Sequence, residues 1–299
     1  MSRETTIARP VETEGIGLHT RVHCRLRLVP APAGTGIVFR RVDLDGFEVE
    51  AHARHVARVS YATSLMKRGV LLSTTEHLLA AIYAAGIDNI YVQLDALEVP
   101  ILDGSSAPFL SLLASAGVRR LRRRRRVLRV TRRLEVTDGD RRISVAPSDR
   151  FEIDSEIDFP HPVIRRQRIA LEVTPETFAR ELAAARTFGF LDEVERLRKL
   201  GLTLGGSVEN AVVLTEDGIL NPPLRFPDEF ARHKALDIIG DFALVGRPIR
   251  ARIEAYKSGH ALHAQLVTRL LEDRSLWTET FEEEPVAAAR AAGAALAAS

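Results

Sequence analysis

Cysteine is nearly absent from this sequence. The single residue, Cys24, excludes a disulfide within the chain and any Cys-based zinc cluster, and it fits a reducing compartment. A surplus of one charge is also lacking. The 42 basic residues face 40 acidic ones, a formal net charge of +2, so no global field directs the chain to nucleic acid. No stretch reaches the roughly 18 apolar residues of a membrane-spanning helix. The first residues, Met1-Ser2-Arg3-Glu4-Thr5, hold no apolar signal core. The expectation is a cytoplasmic protein, with any membrane contact peripheral. What is present is an ordinary globular composition, 45% hydrophobic and 27% charged, over 299 residues, enough for two domains.

The first part of the chain alternates polar and apolar residues over 22–28, 36–40 and 47–51, a strand pattern broken by a Pro-Gly loop at 30–34. Helices are expected over 73–85, closed by Gly86, and over 107–116, with a strand over 88–94 between them. Five arginines follow at 122–126. No aromatics are interleaved with them, so they read as a solvated linker rather than an RNA-binding surface, though attraction to an anionic membrane stays open. A second run of strands begins at 127 and includes 142–145. It also includes 151–159, where Phe151, Ile153, Ser155, Ile157 and Phe159 alternate with four acids. Helices over 175–185, with Thr174 as N-cap, over 192–200 and over 263–271 complete the pattern, with a strand over 251–256. The alanine-rich tail is expected to fray. The division is thus 1–121, a linker at 122–126, 127–280, and a tail at 281–299.

Two segments carry candidate chemistry. In a helix starting near Phe230, His233, Asp237 and Asp241 recur every four residues and so share one face. An imidazole and a carboxylate stacked this way offer two metal ligands, but an exposed ion pair gives the same spacing. The pair Glu76-His77 lies at a helix start. His77 can bind a metal while Glu76 acts as general base. Equally, Ser73 and Glu76 have the spacing of a capping box, which would make Glu76 structural. His77, His233 and Asp237 together would leave one coordination position open, but the first is far from the others in sequence.

At these residues the chain resembles the UDP-3-O-acyl-N-acetylglucosamine deacetylase family, zinc amidohydrolases of lipid A synthesis. The resemblance runs from about residue 15 to 271, in seven ordered blocks. They are Gly15-Ile16-Gly17-Leu18-His19-Thr20, Ser73-Thr74-Thr75-Glu76-His77-Leu78, Gly86-Ile87-Asp88-Asn89, Pro100-Ile101-Leu102-Asp103-Gly104-Ser105, Ala185-Arg186-Thr187-Phe188-Gly189-Phe190, Arg232-His233-Lys234 through Gly240-Asp241, and Tyr256-Lys257-Ser258-Gly259-His260. It implies zinc held by His77, His233 and Asp237, with Fe2+ as a possible metal in the cell. Glu76 is implied as base, His260 as the acid that protonates the leaving amine, and Asp241 as the group that orients His260. Thr187 and Lys234 are implied near the oxyanion. The implied fold is α+β: two similar domains, each a small mixed sheet with two helices, packed helix layer to helix layer, each with a small insert.

The second insert, about residues 190–213, is implied to take the fatty acyl chain of a UDP-linked acylated glucosamine. Leu18, Phe188, Leu191, Leu202, Ala211 and Val213 are its candidate contacts, and Lys257, Arg141 and Phe159 those of the UDP part. A monomer and no nucleic-acid partner are expected. Two other readings compete. Two His and a carboxylate also hold Fe(II) in oxygenases, although Glu76 has no role there. The arginine run would suit an RNA-binding protein whose affinity survives His77→Ala.

Overall fold

The fold is taken from a computed structural model, which describes residues 2–57 and 61–283. It is α+β, with six α-helices among the described residues: α1 Glu76–Ala84, α2 Ala107–Ala116, α3 Pro175–Thr177, α4 Leu191–Lys199, α5 Glu229–Phe242 and α6 His260–Glu272. None is long and apolar enough to cross a membrane. The alanine-rich tail beyond residue 283 lies outside the described residues.

Two sheets organise the chain. The first has five strands in the order Val11–Ile16, His23–Pro30, Ile90–Leu94, Ile37–Arg41, Phe47–Glu50. In the second, Ile249–Tyr256 is the central strand. It pairs antiparallel with Arg141–Ala146 and parallel with Phe151–Phe159, and its first two residues pair parallel with Arg126–Val130. Phe151–Phe159 alternates as its sequence requires, with Phe151, Ser155 and the isoleucines Ile153 and Ile157 buried beneath the sheet. Each sheet packs on its own apolar core. One core gathers residues such as Leu26, Phe39, Val92 and Phe109, and the other Ile153, Phe178, Phe230 and Leu266.

The cores meet where α1 packs on α5. The close approach depends on Gly240. A Cβ there would fall 2.1 Å from the Glu76 carbonyl oxygen, so only glycine lets the two backbones touch. This contact brings Glu76-His77 beside the polar face of α5.

Three local expectations need correction. The arginine run is not an irregular linker: Val118–Arg124 pairs antiparallel with Arg3–Ile7, and Arg126–Val130 enters the second sheet. Charge did not prevent this, because the strand's exposed side chains stay in solvent or meet acids, as Arg123 meets Glu4 at 3.2 Å. Residues 175–185 form a short α-turn and a π-turn, Phe178–Leu182, rather than one regular helix, although Thr174 does cap it. Several strands lack a clear alternating pattern and were not expected, among them, in the second sheet, Leu134–Asp138 and Arg165–Glu172. The second is charged and lies at the sheet edge, where Arg166 and Arg168 pair with Glu156 and Asp154 of its neighbour.

Candidate metal centre and active site

α1 begins at a buried corner. Its N-cap, Thr75, makes no side-chain cap bond, and instead its hydroxyl donates to the Thr63 carbonyl at 3.0 Å. Ser73 takes no part in capping. Glu76 instead accepts from the Thr63 backbone N–H at 3.0 Å, so the capping-box reading fails and the carboxylate faces the cleft. On α5 nearly every side chain is buried, including His233, Asp237 and Asp241.

The distant segments converge. His77 Nε2 lies 3.8 Å and His233 Nε2 3.4 Å from the same Asp237 oxygen, Oδ1. The two rings meet edge to face with centroids 4.9 Å apart. His233 Nδ1 lies 3.1 Å from the Ala185 carbonyl. As the donor to that carbonyl, it leaves Nε2 with a free lone pair. Asp237 Oδ1 is buried and has no hydrogen-bond partner, whereas Oδ2 accepts from Lys234 Nζ at 2.9 Å. An orphaned carboxylate oxygen beside two imidazole nitrogens is a costly arrangement unless a cation fills it. The three side chains fit one divalent metal.

The electrostatics agree. Burial pushes His77 down to about 3, and burial also lowers His233. Both are therefore neutral, as metal ligation requires. Burial opposes ionisation of Asp237, but the charges of Lys234 and His260 outweigh it and hold the carboxyl well below its usual range. Glu76 moves the other way. Burial and the charges of Asp237 and Asp241, against the opposing pull of His260, push it up to about 7, where a general base is useful.

His260 closes the other side. Its Nε2 is 3.8 Å from Glu76 Oε1, and its Nδ1 is 2.8 Å from Asp241 Oδ2. Burial alone would lower His260, yet Asp241, Asp237 and Glu76 raise it to about 9, so it is an imidazolium at neutral pH. Thr187 and Phe188 enter the same cleft of about 260 Å3, together with Leu18 and Lys234. The turn at Gly104 seats Thr187 by accepting its backbone N–H at 2.8 Å. Gly104 has φ +81°, and a Cβ there would strike the Asn210 carbonyl at 1.9 Å. Just before Thr187, Arg186 is tied to Glu229 at the start of α5. Its N, Nε and Nη2 all donate to that fully buried carboxylate, which also accepts from the Arg225 N–H.

Seven of the expected substrate contacts stand outside this cleft's wall. Leu191 opens α4, and Val213 is buried in the strand Val212–Leu214, which pairs parallel with Phe188–Phe190 around α4. Leu202 and Ala211 belong to the loop between them. Phe159 stacks behind Phe188 and Phe190, at 6.0 Å from each. Lys257 is engaged with Asp140 at 2.8 Å, and Arg141 is exposed at the start of its strand, at a hairpin turn.

Sequence reasoning missed two residues. The Thr63 hydroxyl donates to Asp241 Oδ1 and lies 3.1 Å from His260 Nδ1, while its backbone serves Glu76. His263 is buried, with Nδ1 2.7 Å from Asp241 Oδ2 and Nε2 2.8 Å from the Ser258 hydroxyl. A signal existed only for His263, one turn after His260 on α6.

The family model described as LpxC, UDP-3-O-acyl N-acetylglycosamine deacetylase, matches residues 4–272. Relatives bearing the name UDP-3-O-acyl-N-acetylglucosamine deacetylase are similar along nearly their whole length. The protein of Solibacter usitatus (strain Ellin6076) is 54% identical, over 93% of this chain and 94% of its own. That of Myxococcus xanthus (strain DK1622) is 48% identical, over 92% and 88%, and that of Pseudomonas entomophila (strain L48) 43% identical, over 95% of each. With a match of this span and these identities, the chain belongs to the LpxC family of deacetylases, hydrolases that act on an amide.

Proposed function

We propose that this chain is a zinc-dependent deacetylase that removes the N-acetyl group of UDP-3-O-[(3R)-3-hydroxyacyl]-N-acetylglucosamine and releases acetate. The observation that carries the proposal is the unpartnered Asp237 Oδ1 facing two neutral imidazoles, beside a carboxylate poised near neutrality. His77, His233 and Asp237 would hold the metal, which supplies Lewis acidity to activate water and polarise the amide carbonyl. Glu76 takes the proton of the attacking water. Lys234 and the Thr187 hydroxyl stand where negative charge develops on the amide oxygen. His260 gives its proton to the departing nitrogen, and Asp241, bonded to Nδ1, fixes the ring and favours the charged form.

In the same reading, residues 1–121 and 127–280 are the two domains, and the unit Phe188 to Leu214 receives the acyl chain. The enzyme acts as a cytoplasmic monomer at the committed step of lipid A synthesis, and any membrane contact is peripheral. Fe2+ is the alternative metal for the same ligands. The test is acetate release from the UDP-linked substrate by zinc-loaded enzyme, with metal content measured in parallel. Glu76→Gln is expected to keep its metal and lose most turnover, and His233→Ala to lose the metal. Wild-type turnover by Glu76→Gln would remove the assigned base, and absence of acetate release would remove the reaction.

A further inference from the structure

The arginine run has no part in that reaction, yet it forms one wall of a second cavity. This cavity, of about 270 Å3, shares no lining residue with the cleft. Its volume is roughly nine times the ~30 Å3 share of one water in the liquid, room for a hydrated oxyanion. It lies on the seam between the two cores. Arg123, Arg125 and Arg126 come from the run, and Arg247 comes from the turn after α5.

The carboxylates on this wall do not match the cations. Four guanidinium groups face three acids, Glu4, Asp88 and Glu279. Glu4 meets Arg123 at 3.2 Å and Asp88 meets Arg125 at 2.8 Å, but Glu279 is shared between Arg126 and Arg247. Behind them, Glu282 is shared between Arg125 and Arg250. Each guanidinium carries five N–H donors, and a bidentate carboxylate engages two, so these acids cannot saturate the wall. Arg247 is partly buried. Burial, with the charges of Arg126, Arg274 and Arg123, makes its positive form less favourable than usual. Burial disfavours either sign of charge, but the gathering of Arg126, Arg274 and Arg123 around Arg247 is a positive field that attracts an anion. A Cβ at Gly36, another lining residue, would meet nothing within 4 Å.

We propose that this seam cavity binds a phosphate-bearing anion, gripped by Arg123 from one side and Arg247 from the other. Planar guanidinium groups suit phosphate oxygens because two parallel N–H donors match two oxygens. The site would also communicate with the cleft. α1 carries His77 in the cleft and Tyr83 on the cavity wall, and α5 carries His233 and leads through Ala243 to Gly246 on that wall. An anion bridging the seam therefore favours the helix packing that assembles the metal ligands.

The test is calorimetric titration of inorganic phosphate into metal-loaded enzyme at ionic strength fixed with NaCl. In parallel, the enzyme is co-sedimented with vesicles of phosphatidylglycerol or of phosphatidylcholine. Phosphate is expected to bind, and Arg247→Gln and Arg123→Gln each to weaken it about tenfold or more, with turnover in phosphate-free buffer unchanged. Binding to phosphatidylglycerol vesicles alone, weakened by both substitutions, upholds the site and assigns its phosphate to a lipid headgroup. If neither ligand binds, or if the variants bind as the wild type does, the proposal falls. Arg123 is about half exposed, 48% at its side chain, so Arg123→Gln preserves the test should Arg247→Gln fail to fold.

Discussion

Replacing Gly240 by alanine should separate the two halves of the metal centre. The new Cβ would lie 2.1 Å from the Glu76 carbonyl oxygen and 2.8 Å from its carbon. Both are backbone atoms, so no rotamer relieves the clash. Ordinary contact begins near 3.4 Å, and reaching it from 2.1 Å requires the helices to part by about 1.3 Å. Overpacking of this kind costs about 1–3 kcal/mol, offset by up to ~1 kcal/mol of better helix propensity. The net loss of up to about 2 kcal/mol lowers the melting temperature by up to roughly 3 °C, at about 1.6 °C per kcal/mol for 299 residues. The effect on the site should be larger. His77 rides on α1, while His233 and Asp237 ride on α5, and metal–ligand distances tolerate only about ±0.2 Å. Gly240→Ala should therefore lose metal on dialysis, and its turnover should fall about 100-fold or more. Gly218→Ala is the control, because its Cβ meets only the Thr215 hydroxyl oxygen, at 3.4 Å. Wild-type metal content, turnover and melting temperature in Gly240→Ala would refute the argument that this backbone contact sets the ligand geometry.

Other outcomes follow from the same geometry. Turnover should be bell-shaped in pH, rising as Glu76 deprotonates and falling as His260 loses its proton near about 9. The metal's charge should draw the acidic limb below the value of about 7 that holds for Glu76 without it. Asp241→Asn removes the carboxylate that raises His260 and should move the basic limb to lower pH, with a loss of about 10–100-fold in kcat. An unmoved basic limb would exclude Asp241 as its cause. Thr63→Val should lower kcat about tenfold with little change in KM, and Thr63→Ser should restore it because the hydroxyl returns. Equal kcat in the Val and Ser variants would show that the hydroxyl is idle. Chelation should abolish turnover reversibly, and metal at about 1,000 times its Kd should raise stability by about 4 kcal/mol, read as a rise in melting temperature.

Residues with strong local periodicity announced themselves. Phe151–Phe159 and Ala107–Ala116 have the bounds their alternation and helical pattern indicate, because one face of each is apolar and the core accepts it. The stripe of His233, Asp237 and Asp241 was also legible, since a helix face is a local property. The strand Val118–Arg124 was not, because its partner Arg3–Ile7 lies more than a hundred residues earlier and supplies the hydrogen bonds that propensity withholds. Thr63 was hidden for a similar reason. It sits outside any named helix or strand, and its importance comes from Asp241, 178 positions away. The Ser73 capping spacing misled because a buried carboxylate found the Thr63 backbone N–H instead.

The seat of Glu229 gives the enzyme a kind of modularity. Arg186 and Arg225 are both fastened to that one carboxylate, so the chain between them leaves and returns at a single anchored gate. Lengthening a flexible span whose ends are already pinned adds little, about 0.6 kcal/mol for each doubling. The unit of strand, helix and strand within this span can therefore be exchanged, enlarged or trimmed as a cassette. His233 and Asp237 remain in register with His77 throughout, so the surface this unit presents can change while the three ligand side chains stay where they are.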